Sequence, residues 1–151
     1  MRLPFPVPIA TALAMSALVT LGCDGDAGER DNLIDWMTGH SWQSGKTGLH
    51  SAYWTFSPDG VVVVSTLTDK ADGVYRRAVW EGVYLVSDRR NADGSFDVPC
   101  RFTTEDVSWL DGTRASGRSP IPETRVLSVA RGEQGSLLMD GASYYRAPDG
   151  R

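Results

Sequence analysis

The sequence predicts an all-β domain, an antiparallel meander of about eight strands that closes into a small barrel or sandwich. Asp-Gly pairs recur along the chain, β-branched and aromatic runs lie between them, and none of these runs has a helical period. Asp-Gly tolerates the positive φ angles of tight hairpins, and it occurs at 59–60, 72–73, 93–94, 111–112, 140–141 and 149–150. Short strands without alternating helices favour antiparallel neighbours.

The first 22 residues have the pattern of an export signal. Arg2 supplies the positive charge, and the apolar run from Ile9 to Leu21 is shorter than the ~20 residues that a membrane-spanning helix needs. We therefore expect residues 1–22 to be a lipoprotein signal peptide that is removed and takes no part in the fold.

The residues around the cleavage point, VTLGC at 19–23, resemble the lipobox of bacterial lipoproteins. The resemblance implies that Cys23 becomes the first residue and carries acyl chains such as palmitate. The protein would then be anchored by its N-terminal lipid to a membrane of the bacterial cell envelope, with the choice between inner and outer membrane left open. The alternative is an unlipidated secreted protein with a disulfide between Cys23 and Cys100.

Charge excludes one class of partner. Arg2 is the only charged residue of the leader, so without it 14 basic residues face 19 acidic ones and the net charge is about −5. A nucleic-acid-binding protein needs a basic face, which this balance argues against. The acyl group is then the expected membrane contact, since the chain has little to attract anionic lipid.

The remaining chain fits a single domain at 32–151, preceded by a flexible tether at 23–31 that is small, charged and poor in apolar residues. Asn32 can cap a helix of at most about two turns that ends at Gly39. Its apolar face would comprise Leu33, Ile34 and Met37. Strands are expected from Ser41 onward, in the runs 51–57, 61–68, 74–86, 95–103, 106–110, 125–131, 136–139 and 142–146.

The clearest local prediction is the hairpin at 51–68. Pro58-Asp59-Gly60 suits a three-residue turn that pairs Ser57 with Val61. Phe56 then faces Val62 and Trp54 faces Val64, and because side chains alternate with a period of two, this face is predicted to be core.

Three irregularities are expected further along. The run 74–86 changes phase, which predicts a bulge at Glu81-Gly82. In the next strand Cys100 should point inward, and Pro99 favours an edge strand or a local irregularity. Residues 111–123 (DGTRASGRSPIPE) have the composition of a long loop.

A family resemblance follows from these segments. A short helix, then Gly39-His40-Ser41-Trp42, then YWTFSPDG at 53–60 and a strand containing Gly82 resemble the lipocalin-like small barrels of bacterial envelope proteins. In that family an arginine of the last strand packs across the tryptophan of the first. The resemblance implies that Arg146 packs on Trp42.

No catalytic constellation is found. Gly39 to Thr47 has the wrong spacing for a phosphate loop, and neither a Gly-x-Ser-x-Gly elbow nor His-Glu-x-x-His occurs. His40 and His50 are expected to be loop histidines, and Glu105-Asp106 a solvated turn. We therefore expect no catalytic residue, no metal site and no cofactor.

Trp36 and Trp109 are the candidate ligand or partner contacts, because they lie near the ends of the predicted helix and loop. Trp109 and the 111–123 loop would form the rim of the barrel, with Trp42, Trp54 and Trp80 filling its interior. The favoured hypothesis is a noncatalytic envelope lipoprotein that binds a small apolar ligand or another envelope protein. A structural surface lipoprotein without a pocket, and a hydrolase or isomerase with an unrecognised site, are the alternatives.

Overall fold

The computed structural model describes residues 24–44, 52–68, 76–109 and 116–148. They form one helix and eight strands: α1 Asp24–Met37, β1 Ser41–Ser44, β2 Ala52–Phe56, β3 Val61–Thr68, β4 Arg76–Tyr84, β5 Phe96–Trp109, β6 Gly117–Arg131, β7 Leu137–Met139 and β8 Ala142–Arg146. Each strand pairs antiparallel with the next, and β8 pairs with β1, so the predicted meander closes into a barrel. The segments outside these ranges include residues 1–22, where a signal peptide is predicted, Cys23, Gly45-Lys46-Thr47, His50 and the Asp-Gly pairs at 72–73, 111–112 and 149–150.

The β2–β3 hairpin has the predicted register. Phe56 lies opposite Val62 and Trp54 opposite Val64. The Ser57 N–H donates to the Val61 carbonyl at 2.8 Å, and Gly60 has a φ of +84°. All four apolar side chains are buried, which confirms that this face belongs to the core.

The bulge lies where it was predicted, but the extra residue belongs to β5. Gly82 pairs with Phe102 and Glu81 with Thr104, so Thr103 has no partner of its own on β4. The two backbones approach so closely that a Cβ on Gly82 would lie 2.3 Å from the Arg101 carbonyl oxygen. Only glycine fits at this position.

The extra residue changes which side chains of β5 point inward. Before Thr103 the even-numbered side chains are buried, namely Phe96, Val98, Cys100 and Phe102. After it, Glu105 lies opposite Trp80, Val107 opposite the buried Ala78, and Trp109 opposite Arg76. Because directly opposed residues share a face, the inward set after the bulge is odd-numbered.

One expectation for β5 is wrong, and of the two alternatives offered for Pro99 the edge strand is excluded. Glu105-Asp106 is not a turn but part of a continuous strand that joins the two predicted runs. Pro99 is not on an edge, because β5 pairs with β4 on one side and β6 on the other. The Pro99 carbonyl accepts from the Leu85 N–H just past the last residue of β4, and because proline has no N–H this pair is joined by that one bond.

The long loop expected at 111–123 is also wrong for residues 117–123, which begin β6. Within the described ranges, β6 pairs with β7 only at Val129, Ala130 and Arg131, so from Gly117 to Leu127 its strand partner is β5 alone. Pro120 and Pro122 are compatible with such an edge, which needs no full set of N–H donors. The barrel wall therefore has a notch between the first part of β6 and the β7–β8 hairpin.

Helix α1 is longer than predicted, because residues 24–31 form its first turns instead of a tether. Arg30 pairs with Asp88 and Glu29 with Arg90, contacts that fix this half against the segment after β4. The expected apolar face is present, with Leu33 and Met37 buried and Ile34 packed against the core. Gly39, with a φ of +75°, lies just past the end of the helix as predicted.

The two ends of the barrel differ. Helix α1 and the turns after β2, β4 and β6 lie at one end, which we call the closed end. At the other end β1, β3 and β5 finish and β2, β4 and β6 begin, and because no helix among the described residues covers it we call it the open end.

Because of the hairpin register, we expect Trp54→Ala to destabilise the folded protein more than Tyr53→Ala does. Trp54 is 6% exposed, whereas Tyr53 is half-buried on the outer face. We expect Trp54→Ala to lower the free energy of unfolding by ~3–5 kcal/mol, the usual range for a buried aromatic. Chemical denaturation of both variants checks this, and a larger loss for Tyr53→Ala would contradict the register.

Candidate functional site

A carboxylate lies inside the barrel toward the open end. The Glu105 Oε1 atom accepts from the Trp80 indole N–H at 2.9 Å and from the Arg76 guanidinium at 3.0 Å. Its side chain is 20% exposed. The hydrogen bond from Trp80 and the bond and charge of Arg76 outweigh burial and hold the pKa of Glu105 below its usual range. Glu105 therefore stays ionised at neutral pH.

Arg125 lies over the ring face of the same indole. Its guanidinium carbon is 4.7 Å from the centre of the Trp80 ring, and its Nε donates to Glu123 Oε1 at 2.7 Å. The cation–π contact and the ion pair hold this arginine at the inner wall of β6. Trp80 thus contacts Glu105 and Arg125, each of which is paired with a residue of opposite charge, so the charges of this cluster balance.

A pocket of about 470 Å³ opens beside Arg125, in the notch between β6 and the β7–β8 hairpin. It is lined by Trp54, Arg125, Val126, Leu127, Met139, Asp140, Ala142 and Tyr144. Its volume falls within the ~300–1,000 Å³ of small-molecule sites, and its lining combines aromatic and aliphatic side chains with the cationic Arg125 and the anionic Asp140. The aromatic wall continues inward, because the Trp54 ring lies 6.3 Å from Phe102.

A second pocket, of about 290 Å³, lies at the closed end beside His40. It is lined by residues at the start of β1, at the end of β2 and just after β8: Gly39, His40, Ser41, Thr55, Phe56, Ser57, Pro58, Ala147 and Pro148. The His40 ring packs edge-on to Trp42 at 6.3 Å. Among the described residues no group of three or more His, Cys, Asp and Glu side chains could hold a metal ion.

The two tryptophans that the sequence proposed as contacts lie at opposite ends. Trp36 is at the closed end, where its ring lies between Arg131 at 4.3 Å and Arg146 at 4.4 Å. Its indole nitrogen is buried without a hydrogen-bond partner in the described part of the chain. Trp109 is the last residue of β5, at the open end opposite Arg76. The structure does not bring them together.

The arrangement implied for Arg146 is present. Arg146 lies directly opposite Trp42 across the β8–β1 pair, with its guanidinium carbon 5.8 Å from the indole centre. The Trp42 N–H donates to the Met37 carbonyl at 2.8 Å and so joins the first strand to the end of α1. Arg146, Trp36 and Trp42 together fasten the helix over the closed end.

Cys100 is buried and points inward as predicted. Burial raises the pKa of its thiol to about 12, so the reactive thiolate is scarce at neutral pH. This cysteine is a packing residue of the core.

The sequence analysis missed Glu105, Arg125 and Tyr144. Tyr144 could have been found from alternation along β8, since its neighbour Tyr145 is 46% exposed while Tyr144 packs against the core. Arg125 is two residues before the buried Leu127 and therefore shares its face. Glu105 carried no such signal, because the phase of β5 changes at Thr103.

Comparison with known proteins gives no family. No protein-family model matches the chain, and no solved structure matches it. A curated rat (Rattus norvegicus) protein described as "Kinase D-interacting substrate of 220 kDa" is similar, with 30% identity over 133 residues, which is 88% of this chain. The chain spans 7% of the length of that relative. This likeness therefore assigns neither a family nor a function.

The described residues include no helix that is long and apolar enough to span a membrane.

The lowered pKa of Glu105 predicts an acid-sensitive contribution to stability. Such a group stabilises the folded state above its unfolded pKa, near 4.5, and this contribution disappears as the pH falls through the lower folded value. Glu105→Gln should cost about 1–3 kcal/mol at neutral pH, because it weakens two hydrogen bonds to a charged acceptor. The difference from the unaltered protein should shrink as the pH falls below 4.5.

Urea denaturation at neutral and acidic pH measures this difference. Asp106→Asn is the matched control, since Asp106 is the exposed neighbour on the outer face and its replacement should change stability by no more than about 0.5 kcal/mol. A Glu105→Gln loss that stays constant with pH would contradict the assignment.

Proposed function

We propose that the protein is a lipid-anchored envelope protein whose barrel binds a small amphiphilic molecule at the open end, without catalysis. The observation that carries this proposal is the pocket in the notch, where aromatic and aliphatic side chains and Arg125 line the same space, while the Asp140 carboxylate at its edge accepts from the Ser128 N–H. The apolar body of a ligand would pack on Trp54, Leu127, Met139 and Tyr144, which offer a surface of rings and aliphatic groups.

Arg125 would receive the polar end of the ligand. It donates to Glu123 from Nε, and within the described ranges its two terminal amino groups have no protein acceptor. A guanidinium with free N–H groups pairs well with a carboxylate, phosphate or carbonyl oxygen. A fatty acid or a related acyl compound has this combination of an apolar chain and an oxygen-rich end.

The charged groups around Trp80 are better suited to ligand binding than to catalysis. Glu105 is bonded to Trp80 and Arg76, and its lowered pKa makes it a poor general acid at neutral pH. His40 lies at the closed end, away from this cluster. The paired groups position one another and leave Arg125 as the contact for a ligand.

The lipocalin-like resemblance supports the same function. Three features of the structure agree with this resemblance, namely the closed eight-stranded meander, the helix at one end and the contact of Arg146 with Trp42. The anchoring half of the proposal depends on the lipobox-like residues that end at Cys23. An acylated N-terminus would hold the domain at a membrane that it does not cross.

The pocket is tested with two adjacent tyrosines of β8. Tyr144→Ala removes part of the lining, whereas Tyr145→Ala removes an exposed ring of the same kind. Titration with a fluorescent fatty acid should show at least about tenfold weaker binding for Tyr144→Ala, a loss near 1.4 kcal/mol, and an unchanged affinity for Tyr145→Ala. Equal affinities for the two variants would contradict the site.

Arg125→Gln tests the contact with the polar end of the ligand separately from the contacts with its apolar chain. Its effect should appear with a fatty acid and not with the fatty alcohol of the same chain length, because only the acid offers a carboxylate to the guanidinium. Loss of binding for both compounds would point to a disturbed wall instead of a lost ion pair.

The anchor is tested at Cys23. In a bacterial host that acylates lipoproteins, the unaltered protein should begin at residue 23, carry acyl chains and sediment with membranes. Cys23→Ser should leave the membrane fraction. A variant that stays there at the level of the unaltered protein would contradict lipid anchoring.

A further inference from the structure

The outer wall of the barrel carries a contiguous set of exposed apolar side chains. Val83, Leu85 and Val126 are 54%, 69% and 59% exposed. Val83 lies opposite Val61, the Leu85 N–H donates to the Pro99 carbonyl, and Pro99 lies opposite Val126. We call these five residues the outer patch. A contiguous group of exposed apolar side chains is the kind of surface at which proteins contact partners or membranes.

The N-terminal half of α1 pairs with the chain segment that follows the outer patch. Arg30 pairs with Asp88 and Glu29 with Arg90, and both partners follow Leu85 by three to five residues along the chain. Helix α1 begins at Asp24, which directly follows Cys23 in the sequence. At 1.5 Å per residue, the helix covers roughly 8 Å from Asp24 to Glu29.

This short helical connection limits how far the domain can move from an anchor at residue 23. A flexible tether of the same length would let the barrel turn freely about the anchor. A helix that two ion pairs join to the barrel restricts that rotation. An acylated Cys23 would therefore keep the segment after β4, and Leu85 with it, at the surface of the bilayer.

We propose that the outer patch rests on the bilayer that holds the acylated N-terminus. This inference depends on the anchor proposed above. Leu85, Val83 and Val126 would enter the headgroup region, where exposed apolar side chains leave water. Arg101 lies next to Val83 in the register and is exposed, so its guanidinium can reach lipid phosphates. Of the nearby acids, Asp88 is paired with Arg30, and Asp97 accepts from the Asn91 amide.

Depth-dependent quenching tests the proposal on the acylated protein. Leu85→Cys is labelled with a fluorophore and bound to vesicles of phosphatidylethanolamine and phosphatidylglycerol that contain a nitroxide lipid. Ser143→Cys, an exposed position on β8, is the control. Cys23 is blocked by its lipid, and the buried Cys100 does not compete for the label. We expect quenching several-fold stronger at position 85 than at position 143.

The outcomes separate the two proposals. Equal quenching at both positions, with an acylated N-terminal peptide found by mass spectrometry, would overturn the membrane contact and leave the anchor standing. An N-terminal peptide without lipid would overturn both. A label at position 85 that is shielded from water in detergent as well as in vesicles, yet is not quenched by the nitroxide lipid, would show a protein contact and would also overturn the proposal.

Discussion

The close approach of β4 and β5 at Gly82 decides what the interior of this barrel contains. A side chain at that position would collide with the Arg101 carbonyl, and the approach leaves Thr103 as the extra residue of β5. Beyond Thr103 the inward face of the strand changes from Cys100 and Phe102 to Glu105 and its alternate neighbours. Without this change of phase Glu105 would face solvent, and the indole N–H of Trp80 would lose its acceptor.

The two ends of the barrel are stabilised by different chemistry. At the closed end an indole lies between two arginines and a second indole donates to the helix, so α1 is part of the domain and not an appendage. At the open end the charged residues are paired with one another beside an incomplete wall. Packing at one end and, at the other, a notch lined by aromatic and aliphatic side chains with one arginine are consistent with the proposed binding site.

The sequence predicts those parts of the fold that depend on neighbours along the chain. The Pro58-Asp59-Gly60 turn determines the pairing of Phe56 with Val62, because both strands leave the same three residues. The start of α1 and the strand at 117–123 were missed because their partners lie far away in sequence. Asp88 and Arg90 hold the first turns of the helix, and β5 supplies the bonds of early β6. The candidate site was missed for the same reason, since the face of Glu105 is decided by a pairing with β4.

The central claim is that a ligand occupies the open end, and the indole N–H signals of the tryptophans test it most directly. Trp54 and Trp80 lie at the proposed site, whereas Trp36 and Trp42 lie at the closed end. In a two-dimensional NMR titration with a medium-chain fatty acid, the signals of Trp54 and Trp80 should shift and those of Trp36 and Trp42 should stay in place. Shifts confined to Trp36 and Trp42, or no shift at any of these four indoles, would contradict the account.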